Sequence, residues 1–178
     1  MILRMRNEKV KGFTLIEILI AMAIMGILAS VGFGSYIRSL KKGRDAQRKS
    51  DLNQVQSALE AYMSDFQVYP GCNSEGKILG CGDGDTVCEW GDSFVRNVGD
   101  TTKTYMSRLP DDPVSGASYV YVSNGDQYQL FSVLENGQDP DYVDSYTIEC
   151  GEEACKYGVP SPNNNMSTEM AIADHCSL

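Results

Sequence analysis

The chain has 178 residues, which allows one domain of ordinary size with an accessory segment and argues against a multidomain enzyme. Acidic residues outnumber basic ones by 24 to 15, and the formal charge of −9 disfavours general nucleic-acid binding, because a negative surface repels phosphate. Hydrophobic residues make up 42% of the chain, which excludes wholesale disorder, and the single histidine excludes a metal centre built from several histidines.

The N-terminus combines a basic flank with a long apolar stretch. Residues 1–12 carry four basic side chains and one acidic one, so the charge of −12 lies in residues 13–178. Residues 13–37 contain one charge, Glu17. About 20 apolar residues cross a bilayer as a helix, so this stretch predicts a membrane span with its basic flank in the cytoplasm and the rest of the chain exported. A cleaved secretory signal is the alternative, but its apolar core is usually only about 7–15 residues long.

The helical pattern continues after this span, through residues 38–69, to Pro70. No proline occurs between Phe13 and Tyr69, so one helix of about 54 residues is the simplest prediction. Its second half is amphipathic, which suits packing against a small domain. The apolar face consists of Leu52, Val55, Leu59, Tyr62, Met63 and Phe66.

A basic segment joins the two halves of the predicted helix. Its side chains would reach lipid headgroups or pair with acids of neighbouring subunits. A solvated helix face is an equally good interpretation. The residues are Arg38, Lys41, Lys42, Arg44, Arg48 and Lys49.

Glu17 lies inside the apolar stretch and requires a cation. A carboxylate in hydrocarbon costs on the order of several kcal/mol, so an intramembrane charge is a functional candidate. Residues 13–37 contain no basic side chain. Cleavage between Gly12 and Phe13 would create an α-amino group at Phe13, and Glu17 of one subunit would then pair with the amine of another.

The sequence Lys11-Gly12-Phe13-Thr14-Leu15-Ile16-Glu17 resembles the class III signal of type IV pilins and pseudopilins. That signal is a basic leader ending in glycine, then phenylalanine, then an apolar helix with glutamate at the fifth mature position. The resemblance implies that a prepilin peptidase removes residues 1–12 and methylates the Phe13 amine. It also implies that Glu17 neutralises Phe13 of an adjacent subunit during assembly on an inner-membrane platform.

The resemblance implies an α+β lollipop fold, in which a long N-terminal α-helix packs against a small antiparallel β-sheet with disulfide-stapled loops. This sequence departs from the family at one helix position, where many members have a helix-breaking proline. Gly34 stands there, with Gly26 and Gly32 nearby. Glycine costs roughly 1 kcal/mol relative to alanine inside a helix, so these glycines predict a point where the helix melts on filament packing. Close helix–helix approach explains them equally well.

Six cysteines fall into two groups of three along the exported part of the chain. An even number in an exported domain predicts disulfides, and complete pairing requires one or three bridges between the groups. A zinc site is the alternative, but the short paired C-x2-C spacing is missing. The groups are Cys72, Cys81 and Cys88, and Cys150, Cys155 and Cys176.

A globular head is predicted from residue 70 to residue 178. Residues 70–106 are rich in glycine and short polar residues and predict a long connecting loop. Residues 107–150 predict the β-sheet, and residues 151–178 predict a loop-rich C-terminal region.

Within the predicted sheet, Asn124-Gly125 separates two β-rich segments, 119–123 and 127–135, and is typical of a hairpin. A third strand is expected near residues 142–150. The preceding Leu109-Pro110-Asp111-Asp112-Pro113 resembles the corresponding stretch of major pseudopilins, although Val114 replaces the tryptophan that often follows it.

Asp139, Asp141 and Asp144 follow the predicted hairpin. Major pseudopilins hold a calcium ion in the loop after the equivalent strand, so the resemblance implies that these residues bind calcium. Hard oxygen ligands at short spacing suit that ion. An ordinary acidic turn is the alternative, and no other cofactor is expected.

The sequence predicts a structural subunit of a type IV pilus-like filament, a homo-oligomer without catalytic activity. It would lie in the inner membrane before assembly and on the cell surface afterwards. A major pseudopilin of a type II-like secretion system, which forms a short piston, is the alternative within the family. A DNA-uptake pilin is disfavoured by the negative charge. A membrane-anchored binding module or enzyme that never polymerises would keep its N-terminus uncut.

Overall fold

The computed structural model describes residues 12–164, 166 and 169–176. The predicted leader, residues 1–12, therefore lies outside the described residues except for Gly12. The chain divides into two compact units, one that ends at Leu40 and one that begins at Lys41. All the strands of the described chain belong to the second unit.

Helix α1 (Leu15–Phe66) has 52 residues, which confirms the prediction of one long N-terminal helix. It ends at Phe66, because the next residue, Gln67, has a φ of 59° in the left-handed region and cannot continue a right-handed helix. The Gln67 amide still donates to the Met63 carbonyl, at 2.8 Å. The helix therefore ends three residues before Tyr69, the last residue of the predicted helix.

One face of the second-unit part of α1 packs into the hydrophobic core. Leu52, Val55 and Leu59 are completely buried, as the predicted apolar face requires, and Tyr62 is almost so. Burying side chains of this size stabilises the fold by about 1.5–3 kcal/mol each. The strands contribute Phe94, Tyr121, Tyr128, Leu130 and Phe131 to the same core, and Tyr119, which lies outside the strands, is buried with them.

Short strands occupy most of the segment that the sequence predicts to be a connecting loop, so that prediction for residues 70–106 is wrong. Strands β1, β2 and β3 form an antiparallel sheet, and β4 pairs with β5. Each strand has only two to six residues, which is too short to show a hydrophobic alternation. Their bounds are β1 (Gly71–Cys72), β2 (Ile78–Cys81), β3 (Thr86–Cys88), β4 (Phe94–Val98) and β5 (Thr101–Met106).

The third sheet contains the predicted hairpin. Strands β6 (Val120–Ser123) and β7 (Tyr128–Ser132) are antiparallel and pair Ser123 with Tyr128. In the connecting turn, the Asn124 side-chain oxygen accepts hydrogen bonds from the amides of the two residues before Tyr128, at 3.1 and 2.8 Å. The hairpin prediction is confirmed.

The third strand of this sheet is β8 (Tyr157–Pro160), which pairs with β7, and not the segment 142–150. The prediction of a strand at 142–150 is therefore wrong. That segment does alternate, with Ile148 and Cys150 buried, but the Glu169 carboxylate accepts hydrogen bonds from the amides of Thr147 and Ile148. A side chain thus occupies backbone donors that a strand would use for pairing.

Three disulfides hold the second unit together: Cys72–Cys176, Cys81–Cys88 and Cys150–Cys155. One bridge, Cys72–Cys176, joins the two groups of cysteines. Complete pairing requires either one or three such bridges, so the prediction is confirmed. No cysteine remains free for zinc, since all six lie in the described chain. The bridge to Cys176 fastens the short helix α2 (Ile172–His175) beside β1 and β6.

Candidate functional site

The residues around the predicted cleavage point form a capping box at the start of α1. Thr14 precedes the helix, and both its backbone amide and its hydroxyl donate to Glu17 Oε2, each at 2.7 Å. The Glu17 amide donates back to the Thr14 hydroxyl oxygen at 3.3 Å. This reciprocal pairing satisfies otherwise unpaired donors of the first helical turn. It also holds the Glu17 carboxylate close to the chain segment that follows Gly12.

The first unit presents its apolar side chains outward. Phe13 is 84% exposed, and every described side chain from residue 14 to residue 40 is exposed except Ala21, which is half-buried. The helix is long and apolar enough to cross a membrane. A continuous apolar surface of this length requires lipid or other apolar helices to cover it.

The three glycines predicted to give flexibility all lie within α1. A Cβ atom added at Gly26 or at Gly34 would meet no atom within 4 Å. No packing contact inside the described chain therefore requires glycine at these two positions. The two interpretations, helix melting and close approach of a second helix, both remain predictions, and so does the role of Gly32.

A cluster of ion pairs lies in the second unit and centres on Arg48, whose side chain is 1% exposed. Its guanidinium donates two hydrogen bonds to the Asp112 carboxylate, at 2.7 and 2.9 Å. Two further bonds reach Asp45 at 2.9 Å and Glu135 at 3.1 Å. Burial alone would lower the pKa of Arg48, but these carboxylates outweigh it and raise the pKa, so the guanidinium stays charged.

The same cluster connects α1 to the chain after β7. Asp45 accepts hydrogen bonds from the backbone amides of Glu135 and Asn136, at 3.0 and 2.9 Å. Glu135 also makes a two-bonded pair with Arg44, and this pair, with a smaller contribution from Arg48, lowers the pKa of Glu135 to about 2. Charged groups from one helix thus fix the start of a loop that lies about 90 residues later in the chain.

Residues 136–144, the acidic loop, contain the three aspartates predicted to bind calcium. Asp139 and Asp141 both accept hydrogen bonds from Lys49 Nζ, at 2.5 and 2.8 Å. Asp144 pairs instead with Lys156. Among the described residues, no three Asp, Glu, His or Cys side chains come together as a metal ion requires. As they are arranged, the three aspartates do not fit a calcium site.

Three of the six basic residues in the predicted joint thus pair with acids of their own chain: Arg44, Arg48 and Lys49. The interpretation as a solvated helix face is wrong for these three. Lys41 and Lys42 are exposed on the same stretch of helix.

Two family models match the chain. The prokaryotic N-terminal methylation motif matches residues 8–33, which include the predicted cleavage point and Glu17. The model for type II secretion system protein G matches residues 35–147, which include the Arg48 cluster and the hairpin. The chain belongs to the type II secretion system protein G family.

Curated relatives support membership of the protein G family. The type II secretion system core protein G of Vibrio cholerae is 30% identical over 136 residues, which cover 75% of this chain and 86% of the relative. The protein of the same name from Klebsiella michiganensis is 31% identical over 135 residues, which cover 76% and 88%. The type IV major pilin protein PilA of Myxococcus xanthus is 32% identical over 63 residues, which cover 35% and 29%. No solved structure matches the chain significantly.

Two features of this chain were not predicted from the sequence, the capping residue Thr14 and the partners of Arg48. Thr14 was identifiable, because Thr-x-x-Glu ahead of an apolar run is the signature of a capping box. The partners of Arg48 were not identifiable, because Asp112 lies 64 residues away in the chain. No local spacing signals such a pair.

Proposed function

We propose that this protein is the subunit of a helical filament of the pseudopilus type, cut after Gly12 by a prepilin peptidase and polymerised through its N-terminal helix. The observation that carries the proposal is the exposed apolar surface of the described side chains in residues 13–30 and 34–40, together with the match of residues 8–33 to the N-terminal methylation motif. Before assembly, lipid covers this surface. In the filament, the same helices of neighbouring subunits cover it.

Glu17 sets the register of this assembly. In the single chain, its carboxylate is bound by Thr14 of the same helix turn, which provides hydrogen bonds but no positive charge. Cleavage creates an ammonium group at Phe13. A growing filament would bring the Phe13 ammonium of one subunit to the Glu17 carboxylate of its neighbour, and the water-poor surroundings would strengthen that attraction.

Processing is the first step to test. Mass spectrometry of the membrane-extracted protein should find a mature chain that starts at Phe13 and carries one added methyl group. A protein that retains residues 1–12 and stays monomeric would contradict the proposal. That outcome would instead support a membrane-anchored binding module or enzyme that never polymerises.

We prefer the pseudopilus over the long pilus because the secretion core proteins match a larger share of this chain than the pilin does. Similarity to secretion core proteins covers 75–76% of this chain, and the protein G family model extends into the second unit as far as residue 147, whereas similarity to the PilA pilin covers 35% of this chain. Deleting the gene should cause a secretion defect, with surface fibres seen only on overexpression. Abundant surface fibres at native expression would favour the type IV pilus.

The proposed role is structural and needs no catalytic group. The charged clusters of the second unit, around Arg48 and Lys49, pair acids with bases of the same chain and so serve to hold the fold. An inner-membrane assembly platform and the prepilin peptidase are the partners that this role requires. The leader would face the cytoplasm and the second unit the opposite side of the membrane.

A further inference from the structure

The acidic loop, residues 136–144, closes around the end of a lysine side chain. Lys49 extends from α1, and its ammonium donates to Asp139 Oδ1 at 2.5 Å and to Asp141 Oδ2 at 2.8 Å. The ammonium also lies 5.3 Å from the centre of the Tyr157 ring, on the neighbouring strand β8. Two carboxylates and an aromatic ring thus contact one positive charge, whose side chain is 23% exposed, and they supply favourable partners for a cation.

The loop backbone is organised around the same carboxylates. Asp139 Oδ1, which accepts from Lys49, also accepts a hydrogen bond from the Asp141 amide at 3.0 Å. The amides of Asp139 and Tyr142 close two turns onto Asn136 and Asp139. Two aspartates so close together would repel each other, and the lysine charge between them removes that repulsion.

The third aspartate of the loop, Asp144, does not contact the Lys49 ammonium. Asp144 pairs with Lys156, and the Val143 amide bonds to the Lys156 carbonyl, so that part of the loop is fastened to the chain just before β8. A calcium ion prefers six to eight oxygen ligands, whereas an ammonium needs only a few acceptors. The arrangement of the carboxylates therefore suits lysine better than calcium.

We propose that the Lys49 ammonium is the resident cation of the acidic loop, so that the second unit folds without a bound divalent ion. Because the lysine is part of the chain, it supplies a positive charge to the two aspartates at any calcium concentration, whereas a free ion does so only when it is abundant enough to bind. The lysine also links the loop to α1. The inference does not depend on whether the protein forms a filament. The proposal predicts that calcium binds to the acidic loop only when the Lys49 ammonium is removed.

The first test uses the full-length protein in detergent. Its thermal unfolding midpoint should be the same in a chelator and in millimolar calcium. Calorimetric titration with calcium should give no saturable heat. A midpoint that rises with calcium, or that falls in the chelator, would overturn the proposal.

The second test compares Lys49→Met with Lys156→Met as a matched control. Methionine keeps an unbranched apolar side chain and removes the charge. In chelator, Lys49→Met should lower the midpoint by several degrees, and calcium should recover part of the loss with a dissociation constant of about 10⁻⁴–10⁻³ M. Lys156→Met should show a smaller loss and no calcium response, because its partner Asp144 is 79% exposed. Absence of the loss or of the calcium response in Lys49→Met would overturn the proposal.

A third measurement keeps the proposal testable if Lys49→Met does not fold. In the wild-type protein, the isotope-labelled ammonium group of Lys49 should give an NMR signal protected from exchange with water, and calcium should leave it unchanged. Asp141→Asn removes one negative charge at an exposed position, and the weaker pairing with the ammonium should reduce this protection. Loss of the signal on adding calcium to the wild type would mean that the ion displaces the lysine, and would overturn the proposal.

Discussion

Arg48 and Asp112 form a two-bonded ion pair in which the side chains are only 1% and 0% exposed. One partner lies on α1 and the other in the segment between β5 and β6, so the pair joins the helix to the strands. Neither charge has water to solvate it, so each depends on the other.

Replacing Arg48 with methionine should therefore strongly destabilise the second unit. The change leaves Asp112 buried without its cation, which typically costs about 3–5 kcal/mol. Urea unfolding followed by the fluorescence of Trp90, the single tryptophan, would measure the loss. Lys103→Met is the control, because Lys103 pairs with Asp65 at an exposed position and such pairs contribute only about 0–1 kcal/mol. Equal losses in the two variants would contradict the role given to Arg48.

Stability should fall in acid through Glu135. Its pKa is about 2 in the folded protein, below the ordinary value of 4.5, so the paired carboxylate stabilises the fold above pH 4.5. This contribution is lost as the pH falls from 4.5 towards 2. Unfolding free energies measured across that range should decrease less steeply in Glu135→Gln than in the wild type. The exposed-site variant Glu153→Gln should keep the wild-type slope, and the same slope in all three proteins would refute the assignment.

The three disulfides should differ in what they contribute. Cys72–Cys176 spans 104 residues, whereas Cys81–Cys88 spans seven. In the chain-entropy model, a bridge over 100 residues contributes about 4.7 kcal/mol and one over 15 residues about 3 kcal/mol. Replacing Cys72 and Cys176 together by alanine should thus lower the unfolding free energy by at least about 1.5 kcal/mol more than replacing Cys81 and Cys88.

Urea unfolding of the two double variants would check this difference. Their midpoints can be compared directly if the unfolding free energy depends on urea concentration with the same slope in both. The Cys150–Cys155 pair, which spans five residues, provides a second short bridge for comparison. If both short bridges matter more than the long one, native contacts and not chain entropy determine the effect.

Two substitutions should separate the capping role of Glu17 from its charge. Glu17→Gln keeps an oxygen that accepts hydrogen bonds from Thr14 but cannot neutralise an amine, so filament yield should collapse. Thr14→Val removes the hydroxyl and costs the helix end about 1 kcal/mol, but it keeps the carboxylate and should still assemble. Electron microscopy of sheared filaments, with immunoblots of membrane-bound monomer, would measure both. Normal filaments from Glu17→Gln would rule out charge neutralisation, and Glu17→Ala should behave like Glu17→Gln.

Features that depend on local spacing were predictable from the sequence. The long helix follows from apolar periodicity and the absence of proline, and the hairpin follows from Asn124-Gly125. The match to the N-terminal methylation motif was predictable in the same way, because its residues are close together, whereas the roles of Gly12, Phe13 and Glu17 stay predictions. In each case, the residues that determine the feature lie within one turn or one helix face.

Features that depend on distant partners were not predictable. Strand β8 is chosen by pairing with β7 across a 24-residue gap, while Glu169 occupies the amides of Thr147 and Ile148 in the alternating segment that was expected to pair. Because each group has three cysteines, complete pairing requires one or three bridges between the groups. This count could not identify Cys72–Cys176 as the bridge. Lys49 likewise meets Asp139 only because α1 and the chain after β7 pack side by side.

In a chain exported as proposed, the Cys72–Cys176 bridge would also set an order of events. In the proposed orientation, β2 through α2 leave the membrane between these two cysteines, and disulfides form only on the oxidising side. The bond therefore cannot close until the complete set of strands after β1 has been delivered. Its closure marks a finished subunit, and a subunit stalled in mid-transit would carry an unpaired Cys72 thiol that oxidoreductases can recognise.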